Sequence, residues 1–398
     1  MAATDEVPLA DIPTKLDWST TQPYPAWAAA RAKCPVLHFE EGSADGGEGY
    51  QITRFADAEA ALRDWKTFSS SINARHIGQY MGELILAMDG QEHRAYRNLV
   101  AHAFRASALE RWDGELVAPT INRLVDDIAP RGRADLVDAI TSKYPVQVIC
   151  GLVGVPLDDS ARFHQWAEEI NTGPLDPPRG MAASQAMRDY LTPIVEDRRR
   201  EPRDDLISDL VTAEIDGHQL TDEKIYGVLR LLLPAGAETT FRVMGNALVA
   251  LLTHPDELRC VVADRELIPA VIEETLRWET SVTQVSRVTT RAVEVAGCPI
   301  PAGASVGVVT GSANRDEARY DDPGEWRLDR PPAPHLAFGT GPHQCLGMHL
   351  ARLELRTGLN TILDRLPNLR LDPDAPATVI EGYAFRGPTS LPVVFDAS

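Results

Sequence analysis

Beyond residue 90 the apolar positions recur mainly at the three- and four-residue spacing of amphipathic helices. The pattern predicts helices over 92–104, 107–128, 158–171, 183–200, 203–213, 221–252, 255–264 and 266–279, and a last long one from about Leu346 to Leu366. The longest opens at Thr221, a good N-cap, with Asp222 and Glu223 in its first turn, where carboxylates suit the helix dipole. Pro234 lies inside it and removes the hydrogen bond to the carbonyl of Arg230, so a kink is expected there. A shorter helix is expected over Asp57–Trp65, and strands over Tyr50–Arg54, 286–296, 304–309 and Pro392–Phe395. Residues 40–49 read as a loop, 69–90 as a long aperiodic one of the functional or mobile kind, and 321–344 as irregular. With no repeat, low-complexity tract or linker, residues 1–398 read as one mainly α domain with a minor β portion.

Composition narrows the function classes. Hydrophobic residues make up 44% of the 398, enough for a large core. The net charge of −19 argues against nucleic acid and anionic membrane surfaces as partners, though not against a local basic patch. Nowhere do 18 apolar residues follow one another, so no membrane-spanning helix is expected, and the opening MAATDEVPLADIPTKLDWST has no signal-peptide pattern. Cysteines stand at 34, 150, 260, 298 and 345, an odd set without CxxC or zinc-like spacing. No disulfide framework is expected, which fits a cytoplasmic protein.

The most informative segment is Phe338-Gly339-Thr340-Gly341-Pro342-His343-Gln344-Cys345-Leu346-Gly347. Alone, a single cysteine reads as a buried structural thiol. Here glycines that permit unusual backbone angles surround one placed just before a helix, where amides and the dipole favour a thiolate. The glycine spacing is not that of a dinucleotide loop. The segment resembles the haem-binding signature of the cytochrome P450 family, F-G-x-G-x-H-x-C-x-G, at every fixed position. The resemblance implies the P450 fold, with haem b between the long helix and the cysteine turn. It implies Cys345 as the axial thiolate on iron, Phe338 and Gly339 beside it, and His343 on a haem propionate. A thiolate ligand favours O–O cleavage.

On a 3.6-residue period Leu229, Leu232, Gly236, Thr239 and Val243 share one stripe of the long helix. By itself this is a packing face with a back-bonded threonine. It also resembles the family's oxygen-binding helix, [AG]-G-x-[DE]-T-[ST], in Ala235-Gly236-Ala237-Glu238-Thr239-Thr240. The resemblance makes Glu238 and Thr239 the acid–alcohol pair that relays protons to oxygen, with Gly236 leaving room for a small ligand. Pro234 at this spot departs from the family pattern.

Glu274 and Arg277 form an i,i+3 pair, worth little on a surface. With Arg330 they resemble the family's E-x-x-R core triad, a structural support behind the cysteine turn. His93 and Arg97, four apart, and Arg287 in Ser-Arg-Val-Thr resemble the cations that hold the haem propionates. Each could instead be a solvated charge.

Together these residues are identified as those of a P450 monooxygenase, an oxidoreductase that puts one oxygen atom of O2 into an apolar substrate. With no flavin or nucleotide motif in the chain, electrons are expected from a ferredoxin and its NAD(P)H-linked reductase. A basic face of Arg94, Arg105, His349, Arg352 and Arg356 would receive that partner, and a monomer is expected. Family resemblance puts substrate contacts at Ile72, Ile77, Met81, Leu84, Ile85, Leu232, Ala235, Val282, Val285 and Phe385, a lining suited to a terpenoid, steroid or fatty acid. The alternatives are a peroxide-driven peroxygenase, a hydride-taking haem reductase and a catalytically silent haem or ligand-binding protein. Glu238 and Thr239 count against the first two.

Overall fold

The computed structural model describes residues 20–41, 47–173, 176–215 and 217–397. Residues 1–19 of the opening segment and 42–46 of the 40–49 loop therefore lie outside the described residues. The predicted helices are present with small shifts of their ends, as at Ser160–Asn171, Leu206–Thr212, Pro255–Ala263, Ile268–Trp278 and Met348–Arg365. The helix predicted over 107–128 is interrupted by a π-helical turn at Asp113–Val117. The helix expected from 183 begins earlier, at Pro177, where Asp176 accepts from the amide of Arg179.

Two longer helices were not predicted, Tyr24–Lys33 and Tyr144–Val153. The second is buried on nearly every side, so its sequence YPVQVICGLV carries no polar stripe to betray a helical period. The 69–90 stretch is not a plain loop. It holds short helices at Ile72–His76 and Gly78–Met81 and a 3-10 turn at Ile85–Ala87, each too short to show a period.

The 32-residue helix Asp222–Thr253 runs unbroken through Pro234 to the centre of the molecule, packed against Tyr144–Val153 and Ser160–Asn171. A five-stranded sheet lies to one side, in the order Val36–Phe39, Gly49–Ile52, Ser305–Val308, Val285–Thr289, Phe68–Ser69. Its only parallel pairing sets Ser305–Val308 against Gly49–Ile52. The expected strand 286–296 is two strands, since the chain turns after Thr289 and forms a hairpin of Val293–Val295 with Cys298–Ile300. No described helix is long and apolar enough to cross a membrane.

Candidate active site

The long helix, the helix Gly90–Ala101, the segment from Ser281 to Arg287 and the cysteine turn enclose one internal cavity. Cys345 opens onto it. The turn folds back on itself, with the Cys345 amide donating to the Phe338 carbonyl at 2.8 Å and the Gln344 amide to that of Gly341 at 3.1 Å. Gly339 and Gly341 have φ of 62° and 74°, a region other residues rarely adopt. A Cβ at Gly341 would also stand 2.8 Å from the Leu62 carbonyl oxygen. Gly347 is under no such constraint, because a Cβ there meets only Phe104, at 3.9 Å.

Burial pushes the Cys345 thiol up, while the Gly347 amide and the guanidiniums of Arg97 and Arg352 pull it back. Such a sulfur, facing a cavity with a donor and two cations near, is suited to bind a metal as thiolate. Phe338 lines the cavity beside it, with the Arg352 guanidinium 4.7 Å from its ring centroid. Arg352 is not a free surface cation as the basic face required. It is held bidentately by Glu273 at 2.7 and 2.8 Å, and Glu273 also meets His335 at 3.2 Å. Arg94, Arg105, His349 and Arg356 are exposed.

His93, Arg97, Arg287 and His343 all reach the cavity. The hydrogen bonds of the two guanidiniums, among the described residues, go to backbone carbonyls: Arg97 to Gln344 at 2.7 Å and Arg287 to Ser286 at 2.7 Å. Burial lowers Arg287 to about 10. Burial, then His343 and Arg97, lower His93 to about 4, and its buried Nδ1 has no hydrogen-bond partner. The His343 ring lies 4.0 Å from that of His93, and its Nε2 meets Asp89 at 3.1 Å. A buried and a half-buried guanidinium without a carboxylate bonded to them, two imidazoles, a sulfur and apolar walls fit a haem with its two propionates.

Leu232, Ala235, Gly236, Thr239 and Val243 line the cavity, whereas Leu229 is wholly buried in the core. Thr239 Oγ1 donates to the Ala235 carbonyl at 2.9 Å, the back-bonded arrangement. Gly236 does not simply make room for a ligand. Its missing Cβ admits the side chain of Ile149, which would stand 2.8 Å from it. Glu238 faces away from the cavity and is 2% exposed. Its Oε2 accepts from Arg242 at 3.0 Å, and its Oε1 lies 3.6 Å from His164 Nδ1. Burial raises its carboxyl, against the pull of Arg242 and His164.

Of the expected substrate contacts, Ile85, Leu232, Ala235, Val282 and Val285 line the cavity. Ile72, Met81 and Leu84 are buried elsewhere, and Met81 and Leu84 belong to the main hydrophobic core, because the 69–90 stretch coils into short helices that turn these side chains inward. Ile77 is half-buried against the same core. Phe385 pairs through its backbone with Val282 and lies beside Arg242, behind the lining.

The triad is present. Glu274 Oε1 accepts from Arg277 at 2.6 Å and from Arg330 at 2.9 Å, and Oε2 from Arg277 at 2.7 Å. Both arginines also donate to carbonyls between Asn314 and Glu325. The triad therefore braces the irregular 314–330 segment, and it is the neighbouring Glu273, through Arg352 and His335, that ties this helix to the cysteine turn. Sequence reasoning missed Glu273, and also Glu354, a buried carboxyl on the cavity whose burial raises it well above the usual range. Its signal was a carboxylate on the inner face of a helix, four residues from Leu350 and from Gly358.

The comparisons with known proteins agree with this geometry. A family profile, Cytochrome P450, matches residues 178–376. The Erythromycin C-12 hydroxylase of Saccharopolyspora erythraea is 36% identical over 94% of this chain and 93% of its own. The Steroid C26-monooxygenase of Mycolicibacterium smegmatis is 35% identical, over 94% and 92%. The solved structure of a cytochrome P450 from Chondromyces apiculatus superimposes with a TM-score of 0.86 at 32% identity, covering 97% of this chain and 99% of the other. A cysteine turn over a cation-rimmed cavity, on a fold shared nearly end to end with such enzymes, has one parentage: the chain belongs to the cytochrome P450 family of monooxygenases.

Proposed function

We propose that this chain, as a single domain, is a cytoplasmic, monomeric monooxygenase that carries haem b. In this reading Cys345 is the axial sulfur ligand, and it draws electrons from a ferredoxin and ferredoxin reductase. The observation that carries the reading is the Cys345 sulfur facing a cavity whose cations, the half-buried Arg97 and the buried Arg287, have only carbonyls as hydrogen-bond partners among the described residues. The haem supplies dioxygen activation and electron storage. The chain's own residues do the rest. Arg97, Arg287, His93 and His343 hold the propionates. Thr239 holds a proton donor at the cavity wall, and Glu238 supplies protons from behind it.

The substrate is an apolar organic molecule such as a terpenoid, steroid or fatty acid. Ile85, Leu232, Ala235, Val282 and Val285 give it an apolar wall, and the two curated relatives act, by their names, on erythromycin and on a steroid. Reduced protein under carbon monoxide should show the red-shifted absorbance of a thiolate-ligated haem, and Cys345→Ser should lose it. Retention of that band in the variant would remove Cys345 from the role. Turnover in the wild type that needs peroxide and no electron partner would point to the peroxygenase instead.

A further inference from the structure

Glu238 is 2% exposed, so its carboxyl has no direct contact with bulk water from which to be reloaded with protons. The helix Ser160–Asn171 passes beside it and presents His164. The two ring nitrogens face different carboxylates. Nδ1 stands 3.6 Å from Glu238 Oε1, and Nε2 stands 3.8 Å from Glu168 Oε1. Side-chain exposure rises along this line, from 2% at Glu238 through 23% at His164 to 53% at Glu168. One imidazole thus spans the distance from solvent to the buried acid.

Two of these atoms, His164 Nδ1 and Glu238 Oε1, are buried and have no hydrogen-bond partner. Such atoms are costly to leave unpaired. Here they face each other, within about half an ångström of hydrogen-bonding distance. The other groups around the ring are Phe241, edge-on at 6.0 Å, and Arg242, which holds the far oxygen of Glu238. A single metal ion is a poorer occupant of this cluster. The ring turns one nitrogen to each carboxylate, a metal takes only one of them, and Arg242 already claims Glu238 Oε2.

We propose that His164 is the proton inlet for Glu238. It touches neither substrate nor haem and acts through Glu238, as a positioning residue. The Nδ1 proton passes to Glu238 Oε1 while Nε2 takes a proton from Glu168 or from water beside it. Rotation of the ring restores the starting tautomer. No electron moves, and the net change is one proton from solvent to Glu238. The inference rests on the reading of Glu238 as the proton source for oxygen activation.

The test uses the haem-loaded enzyme and four proteins: wild type, His164→Gln, Glu168→Gln and Glu238→Gln. Infrared difference spectra across a pH titration follow the Glu238 carboxyl band, which is assigned by its loss in Glu238→Gln. In His164→Gln the midpoint of that band should rise by about half a pH unit or more, because the ring that pulls the Glu238 carboxyl down is gone. Oxygen consumption with a surrogate ferredoxin and its reductase should slow roughly fivefold or more in the same variant, with a larger solvent deuterium effect. Glu168→Gln, a surface change that does not threaten folding, should slow it in the same direction and by less. An unshifted band and an unchanged isotope effect in both His164→Gln and Glu168→Gln overturn the inlet. If Glu238→Gln itself consumes oxygen at the wild-type rate, the reading of Glu238 fails first, and the inlet falls with it.

Discussion

Arg97 and Gln344, 247 positions apart, are joined by a 2.7 Å hydrogen bond from the guanidinium Nη2 to the carbonyl oxygen of the residue before Cys345. One side chain thereby fixes the cysteine turn to the helix Gly90–Ala101 while its charge stays at the cavity. Arg97→Leu should lose both functions. Removing a charged hydrogen bond costs about 1.5–3 kcal/mol, so haem should leave roughly tenfold faster or more. Arg97→Lys keeps the charge without the planar fork and should fall between. Haem transfer to an apoprotein acceptor, followed by absorbance, measures the rate, and equal rates in all three proteins would dismiss the role.

The Thr239 hydroxyl spends its proton on the Ala235 carbonyl, so what it offers the cavity is an acceptor. An acceptor at that place holds a water by one of the water's own protons. Thr239→Ala should let NAD(P)H consumption continue while product per NAD(P)H falls several-fold and hydrogen peroxide rises. Thr239→Ser restores the acceptor and should restore the yield. Product and peroxide measured together decide it, and unchanged yields in the alanine variant would leave Thr239 a packing residue.

Of the exposed cations near the cysteine side, Arg105 is the cleaner probe of electron-partner docking, because Arg352 is committed to Glu273. Arg105→Glu should slow reduction of the haem by an acidic ferredoxin, and added salt should slow the wild type. Stopped-flow reduction rates that ignore both changes would move the docking surface elsewhere.

Burial alone would raise the Glu273 carboxyl, yet the bonds from Arg352 and His335 carry it down to about 2. A carboxyl depressed on folding stabilises the fold above its unfolded value of roughly 4.3 and loses that contribution as pH falls further, through about 2. Melting temperature should therefore drop over that window. Arg352→Ala should melt lower at neutral pH and show a shallower drop. Parallel curves for the two proteins would mean that the Glu273 pair adds nothing to stability.

Much of this was legible in the sequence because haem imposes short, local demands. The turn around Cys345 needs its glycines and cysteine within ten residues, and they read directly. Two kinds of feature did not. Tyr144–Val153 is apolar all round, so burial erased the period that marks a helix. Ile72, Met81 and Leu84 were expected at the substrate but are buried elsewhere, because three short turns in 69–90 leave no repeat by which to phase them. His164, Asp89 and Glu273 owe their importance to partners on other elements, 74, 254 and 79 positions away in the cases of Glu238, His343 and Arg352. No local pattern announces such pairs.

Consecutive side chains leave a helix about 100° apart. Glu238 and Thr239 are consecutive, and so they sit on opposite sides of a bulkhead, the carboxyl outboard beside His164 and the hydroxyl inboard at the cavity. Angular phase, more than the chemical pair alone, is what this stretch must preserve. Deleting one residue between Pro234 and Glu238 would turn both side chains about 100° around the axis, carrying Thr239 outboard and taking Glu238 away from His164. Exchanging the two residues, leaving length and formula unchanged, would put each in the other's compartment.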